Sequence, residues 1–344
     1  MGNRLTMRIA AALLALLPTA GLAADAAYFH NKTVKIVVPY GPGGTYDKYA
    51  QTFAEYLGRH IPGKPTVIVQ HMPGAGGVKA MNWAYTVMPK DGLNMITPID
   101  NSVVNQLMRP DKMRYDAREF IWLGATNQTN LVMAVRSDSG VKTWEDMKTK
   151  ELVASSSGQD TSFIGSNLTN GLLGTKIRVV TGYKGSSKAM FAIEQGESQL
   201  SMYNWLAWSS SVPHWFAGDK PFARIVLQLG AFRDPDVPKE VPMMSDLVTS
   251  DADKKTVAFI ASLGVLGRGL ALPPGVPADV VKTLRASYDA MNADPAFAAD
   301  LKKRQLRLIP SKGEEIQSFV KSAIDGATPE VVKRATEMIY GKGS

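Results

Sequence analysis

The chain has 344 residues, no cysteine, four histidines and a formal net charge of +8. Without cysteine there is no disulfide, thiolate metal site or thiol nucleophile, and a length beyond what one hydrophobic core serves predicts two domains. Lysines and arginines are scattered among acids instead of forming a basic stripe interleaved with aromatics, which argues against nucleic-acid binding.

Arg4 and Arg8 precede an apolar stretch from Ile9 to Leu17, a break at Pro18 and the small residues up to Ala23. This order reads as a secretory signal peptide over residues 1–23, too short to span a bilayer. Cleavage near Ala23 leaves a soluble protein with a net charge of +6 and, lacking cysteine, no lipid anchor.

Val34 to Val38 is β-branched and ends at Pro39 and a glycine cluster; Tyr46, Tyr49, Ala50, Phe53 and Leu57 then recur at helical spacing. Val67 to Val69 runs into a second glycine turn, Gly74 to Gly77, and a helix through Ala80, Met81 and Ala84; Asn94 to Ile99 reads as a third strand. Strands alternating with helices predict βαβ units and a largely parallel sheet.

After strands at Ile121 to Ala125 and Leu131 to Val135, the pattern starts again. Leu152 to Ala154 is a strand, Ser155 to Gln159 a turn, and Asp160 to Leu173 a helix. Ile177 to Val180 leads through Gly182 to Ser187 into a helix ending near Gln195, followed by a strand near Gln199 to Tyr203. From Ala278 the chain reads as helices, Val280 to Met291 and Glu314 to Ile324 among them, expected to pack back on the first unit.

Ligands in parallel sheets sit beyond the carboxyl ends of strands, at helix N-termini. Four glycine turns hold such places, around Gly43 and Gly44, Gly76 and Gly77, Gly158 and Gln159, and Gly185. Each lets backbone N–H groups approach a ligand, and the helix dipole favours an anion there. The alternative is that each glycine only makes a tight connection. Asp47, in the first helical turn, reads as a cap or as an acceptor for a ligand donor. The segment Tyr203, Asn204, Trp205, Trp208 and Trp215 reads mainly as core, with Tyr203 and Asn204 the better cleft candidates. The sequence has no nucleophile elbow, zinc-binding histidine pair or phosphate loop, and His71 reads as local packing. Binding without catalysis, and without a cofactor, is the expectation.

The run Pro39-Tyr40-Gly41-Pro42-Gly43-Gly44-Thr45-Tyr46-Asp47 resembles the first signature turn of the Bug family, the substrate-binding proteins of tripartite tricarboxylate transporters. Pro73 to Gly77, Lys90-Asp91-Gly92, Tyr183-Lys184-Gly185, Gln195-Gly196-Glu197 and Pro273 to Pro277 are similar to that family's other segments, so the likeness spans nearly the whole mature chain. The resemblance implies a periplasmic α/β protein of the type II binding-protein fold, with two lobes, 31–128 plus 261–344 and 129–260, closing on a small carboxylate. Carried over, the first-lobe contacts are Tyr40, Gly43, Gly44, Thr45, Asp47, Gly76 and Gly77, and the second-lobe contacts are Gly158, Gln159, Asp160, Thr161, Tyr183, Lys184 and Gly185. A monomer that delivers a di- or tricarboxylate or an aromatic acid to membrane subunits follows from it. A ligand-sensing subunit with the same fold and, in another class, a hydrolase using Asp47 or Asp160 are the alternatives. Gly158-Gln159-Asp160-Thr161 and Gln199 depart from the family pattern, which implies that the second-lobe end of the ligand differs from a simple dicarboxylate.

Overall fold

The structure, a computed structural model, describes residues 26–341; the expected signal peptide, Met1 to Ala23, lies outside the described residues. In chain order the strands are β1 (Thr33–Val38), β2 (Thr66–His71), β3 (Asn94–Ile96), β4 (Ile121–Ala125), β5 (Leu131–Arg136), β6 (Glu151–Ser156), β7 (Lys176–Thr181), β8 (Leu200–Asn204), β9 (Ala223–Leu229), β10 (Gly269–Leu272) and β11 (Ser311–Lys312). They form two sheets, ordered β11-β4-β10-β3-β1-β2 and β7-β6-β8-β5-β9. The chain therefore crosses between sheets twice, from β4 to β5 and from β9 to β10.

Sequence alternation sets the packing of β1. Val34, Ile36 and Val38 join one apolar cluster with Tyr49, Phe53 and Leu57 of helix Thr45–His60, while Val37 points the other way into a cluster with Ala80, Met81 and Ala84. A strand covered on both faces is the parallel-sheet signature, and β1 indeed pairs in parallel with both β2 and β3. In the second sheet β6 is parallel to β7 and β8, and β5 lies antiparallel between β8 and β9. Both sheets thus aim the carboxyl ends of their parallel strands, and the glycine turns after them, at the gap between the lobes.

Four features differ from the sequence expectations. The third strand stops at Ile96, three residues early. β9 and β10 were not anticipated: Arg224 and Gln228 interrupt the apolar pattern of β9, and β10 is only Gly-Leu-Ala-Leu. Asp160 stands before its helix as the N-cap of Thr161–Leu173. The last helix, Pro329–Tyr340, does not return to the first sheet: Ala335 and Ile339 pack with Ile164 and Leu168 of the second lobe and with Val104 and Met108 of helix Ser102–Met108. Among the described residues no helix is long and apolar enough to cross a membrane.

Candidate ligand site between the lobes

The two lobes touch along a seam built from the glycine turns. Gly41 N–H donates to the Lys184 carbonyl at 2.7 Å, and Ser187 Oγ donates to the Pro42 carbonyl at 3.0 Å. Asn101 Nδ2 donates to the Gln159 carbonyl at 3.1 Å, and Arg109 pairs with the Gln159 side chain. Gly158 and Gly76 meet backbone to backbone: a Cβ on Gly158 would stand 2.5 Å from the Gly76 nitrogen, and φ is +144° at Gly158 and +63° at Gly76. Glycine is required at both by conformation and by space.

The seam encloses a small cavity. Tyr40, Gly41, Gly44, Thr45, Tyr46, Asp100 and Arg268 wall it on one side, and Ser157, Asp160, Thr161, Ser186, Tyr203 and Asn204 on the other. Helices Thr45–His60 and Ser186–Glu194 both begin at this cavity after a glycine, Gly44 and Gly185, and neither has a side-chain cap. First-turn N–H groups have no acceptor within their own helix, so two positive helix ends face one space from opposite lobes. The third helix end is different. Asp160 accepts from Ser162 N at 2.9 Å, Phe163 N at 3.2 Å and Ser157 N at 3.1 Å, and from the Ser156 and Ser157 hydroxyls. Its carboxylate closes its own loop while still lining the cavity, with the Tyr203 hydroxyl 3.5 Å away.

The sequence reading missed an ion pair in the wall. Arg268, 2% exposed at the start of the crossing strand β10, places Nη1 2.6 Å from Asp100 Oδ1, and its guanidinium carbon lies 3.8 Å from the centre of the Tyr46 ring. Nε and Nη2 donate to Thr45 Oγ1 at 3.3 and 3.2 Å. Burial pushes the Asp100 carboxyl up against the pull of Arg268, and burial also raises the Tyr40, Tyr46 and Tyr203 phenols, which stay neutral donors. The available signal was Gly267-Arg268-Gly269, an arginine between two residues that admit close backbone approach.

Of the residues carried over from the family pattern, Tyr40, Gly44, Thr45, Asp160 and Thr161 line the cavity, as do Tyr203 and Asn204. Gly43, Gly76, Gly77, Gly158, Gln159, Lys184 and Gly185 build the seam around it. Asp47 does neither: it accepts from Gly43 N–H at 2.8 Å and pairs with His71 Nε2 at 2.8 Å, so it fixes the turn that precedes the helix and leaves the helix's own first N–H groups uncapped. Tyr183 donates outward to Glu197 at 3.0 Å. Trp208 and Trp215 are core, the Trp208 indole N–H donating to the Val132 carbonyl at 3.0 Å, while Trp205 packs edge-on against Phe216. Gln199 bonds to Val153 N in the sheet, at 2.9 Å.

No family model matches the chain. A UPF0065 protein of Bordetella pertussis is 22% identical over 348 residues, covering 92% of this chain and 94% of that protein. A second, from Bordetella bronchiseptica, is 25% identical over 319 residues, covering 91% and 85%. The chain is thus similar over nearly its whole length to two UPF0065 proteins. Among solved structures similar to this chain, one of a periplasmic transporter has a TM-score of 0.67 at 26% identity, covering 91% of this chain and 97% of the other. The periplasmic binding protein BugD has a TM-score of 0.69 at 19% identity, covering 86% and 95%. An R. palustris protein with adipate has a TM-score of 0.68 at 21% identity, covering 88% and 97%. The fold of this chain is accordingly the two-lobed α/β fold of periplasmic binding proteins.

Proposed function

We propose that this protein is a monomeric periplasmic receptor of the Bug type that captures a small carboxylate and presents it to the membrane subunits of a tripartite tricarboxylate-type transporter. One observation carries the ligand class: two uncapped helix N-termini, at Thr45 and Ser186, open on a single cavity from opposite lobes. A carboxylate held by both would join the lobes, so binding and closure are one event. The adipate in the R. palustris structure supports the same chemistry for this fold. The expected signal peptide supports the compartment. The bodies that close are 31–128 with the returning segment from 261, and 129–260, with Pro329–Tyr340 moving with the second. The core positions of Trp208 and Trp215 favour an aliphatic over an aromatic acid.

A thermal-shift screen of the mature chain against short mono-, di- and tricarboxylates and amino acids tests this reading. A ligand that binds only the folded state raises its melting temperature. At least one acid is expected to raise it by several degrees, and silence across the panel contradicts the proposal.

A further inference from the structure

A guanidinium carries five N–H donors. In Arg268, Nε and one Nη2 hydrogen go to Thr45 Oγ1, and the two Nη1 hydrogens go to Asp100 and the Gly267 carbonyl at 3.1 Å. One Nη2 hydrogen is left, on a side chain that is 2% exposed and lines the cavity beside the helix N-terminus at Thr45. The opposite wall is of the other polarity. Asp160 lies there among Ser157, Thr161, Tyr203 and Asn204, and that wall carries no lysine or arginine.

Resting on the carboxylate reading above, we propose that Arg268 and Asp160 sort the ligands. Arg268 takes one carboxylate through its free Nη2 donor, and Asp160 with Tyr203 takes a hydrogen-bond donor at the far end, an ammonium or a hydroxyl. Asp100 fixes the guanidinium and offsets its charge, so the incoming carboxylate meets a neutral pair plus the helix dipole. A second carboxylate would face Asp160 with no cation beside it, in a closed cavity where like charges repel far more strongly than in water. The long Tyr203 to Asp160 contact, 3.5 Å, leaves the phenol able to turn to the ligand.

The test is titration calorimetry of the mature chain with matched acids: succinate, 4-aminobutyrate and 4-hydroxybutyrate, then malonate, β-alanine and 3-hydroxypropionate. At least one donor-ended acid is expected to bind about tenfold or more tighter than the dicarboxylate of its length; the amino and hydroxy arms separate ammonium from hydroxyl. Asp160→Asn keeps a side-chain acceptor for the N-cap and is expected to shrink that ratio to near one or reverse it. Arg268→Lys keeps a charge against Asp100 but loses the planar fork, and is expected to weaken all the acids in parallel. Tighter binding of dicarboxylates by the native chain overturns the inference and leaves the proposed function standing. An unchanged ratio in Asp160→Asn, checked as folded by circular dichroism, also overturns it. If Asp160→Asn does not fold, the native ratio decides alone; if no acid binds, the proposed function falls together with this inference.

Discussion

Arg268 Nη1 and Asp100 Oδ1 stand 2.6 Å apart with side-chain exposures of 2% and 4%, joining the returning strand β10 to the loop after β3. Removing one member of a buried pair strands the other charge, at a cost of about 3–5 kcal/mol, whereas replacing both by apolar residues of similar size is far less costly. Asp100→Ala is expected to lower unfolding free energy in urea by that amount. The double variant Asp100→Leu with Arg268→Met is expected to regain most of it and to lose ligand binding.

Gly158→Ala should act on closure more than on folding. Its Cβ would meet the Gly76 backbone at 2.5 Å, a contact that exists only when the lobes are together. Ligand affinity is expected to fall by about tenfold or more, the equivalent of about 1.4 kcal/mol. Small-angle scattering at saturating ligand is expected to show a larger radius of gyration than the native complex, and equal radii would contradict the seam.

Gly44 has an ordinary backbone conformation, φ −82°, so the reason for glycine there is space. A Cβ would lie 2.8 Å from Ser186 Oγ, between the two helix ends. Gly44→Val is expected to abolish measurable binding by calorimetry while changing the unliganded melting temperature little.

The C-terminal helix can be tested through Ile339, 3% exposed in the cluster it shares with Ile164 and Val104. Ile339→Ala is expected to cost about 2–4 kcal/mol in chemical denaturation, as for other buried aliphatic truncations. A change under about 0.5 kcal/mol, typical of surface positions, would mean that the helix does not dock on the second lobe.

Asp116 supplies a pH-dependent term. Hydrogen bonds from Arg118, at 3.0 Å and 2.6 Å, hold its carboxyl down from the usual 3.8 to about 2. A depressed carboxylate stabilises the fold above its unfolded pKa, so this contribution is complete above about pH 4 and is lost as the pH falls through about 2. Solvent screening of the exposed arginine keeps it modest. Thermal melts of Asp116→Asn are expected to show a flatter decline between pH 4 and pH 2 than the native chain.

The lobes and their turns were legible because each glycine turn follows a β-branched run and precedes an apolar helical period, and both signals are local. Asp160 was displaced by a single position, since an aspartate before a helix and one inside its first turn look alike until the N–H groups of Ser162 and Phe163 are placed. Asp100 and Arg268 were illegible for a different reason: 168 positions separate them, and neither belongs to a periodic pattern. The tryptophan segment reads mainly as core from sequence, and Trp208 and Trp215 are core while Tyr203 and Asn204 line the cavity; clustering in sequence alone does not say which face of β8 and its following helix turns inward.

The central claim is that an acid binds between the helix ends at Thr45 and Ser186. A crystal structure of the mature chain with the tightest acid of the panel tests it most directly. The account predicts a carboxylate within hydrogen-bond distance of the N–H groups that open both helices, with the lobes closed across Gly76 and Gly158. Acid bound outside this cavity, or held by one lobe with no contact to the other, would contradict it.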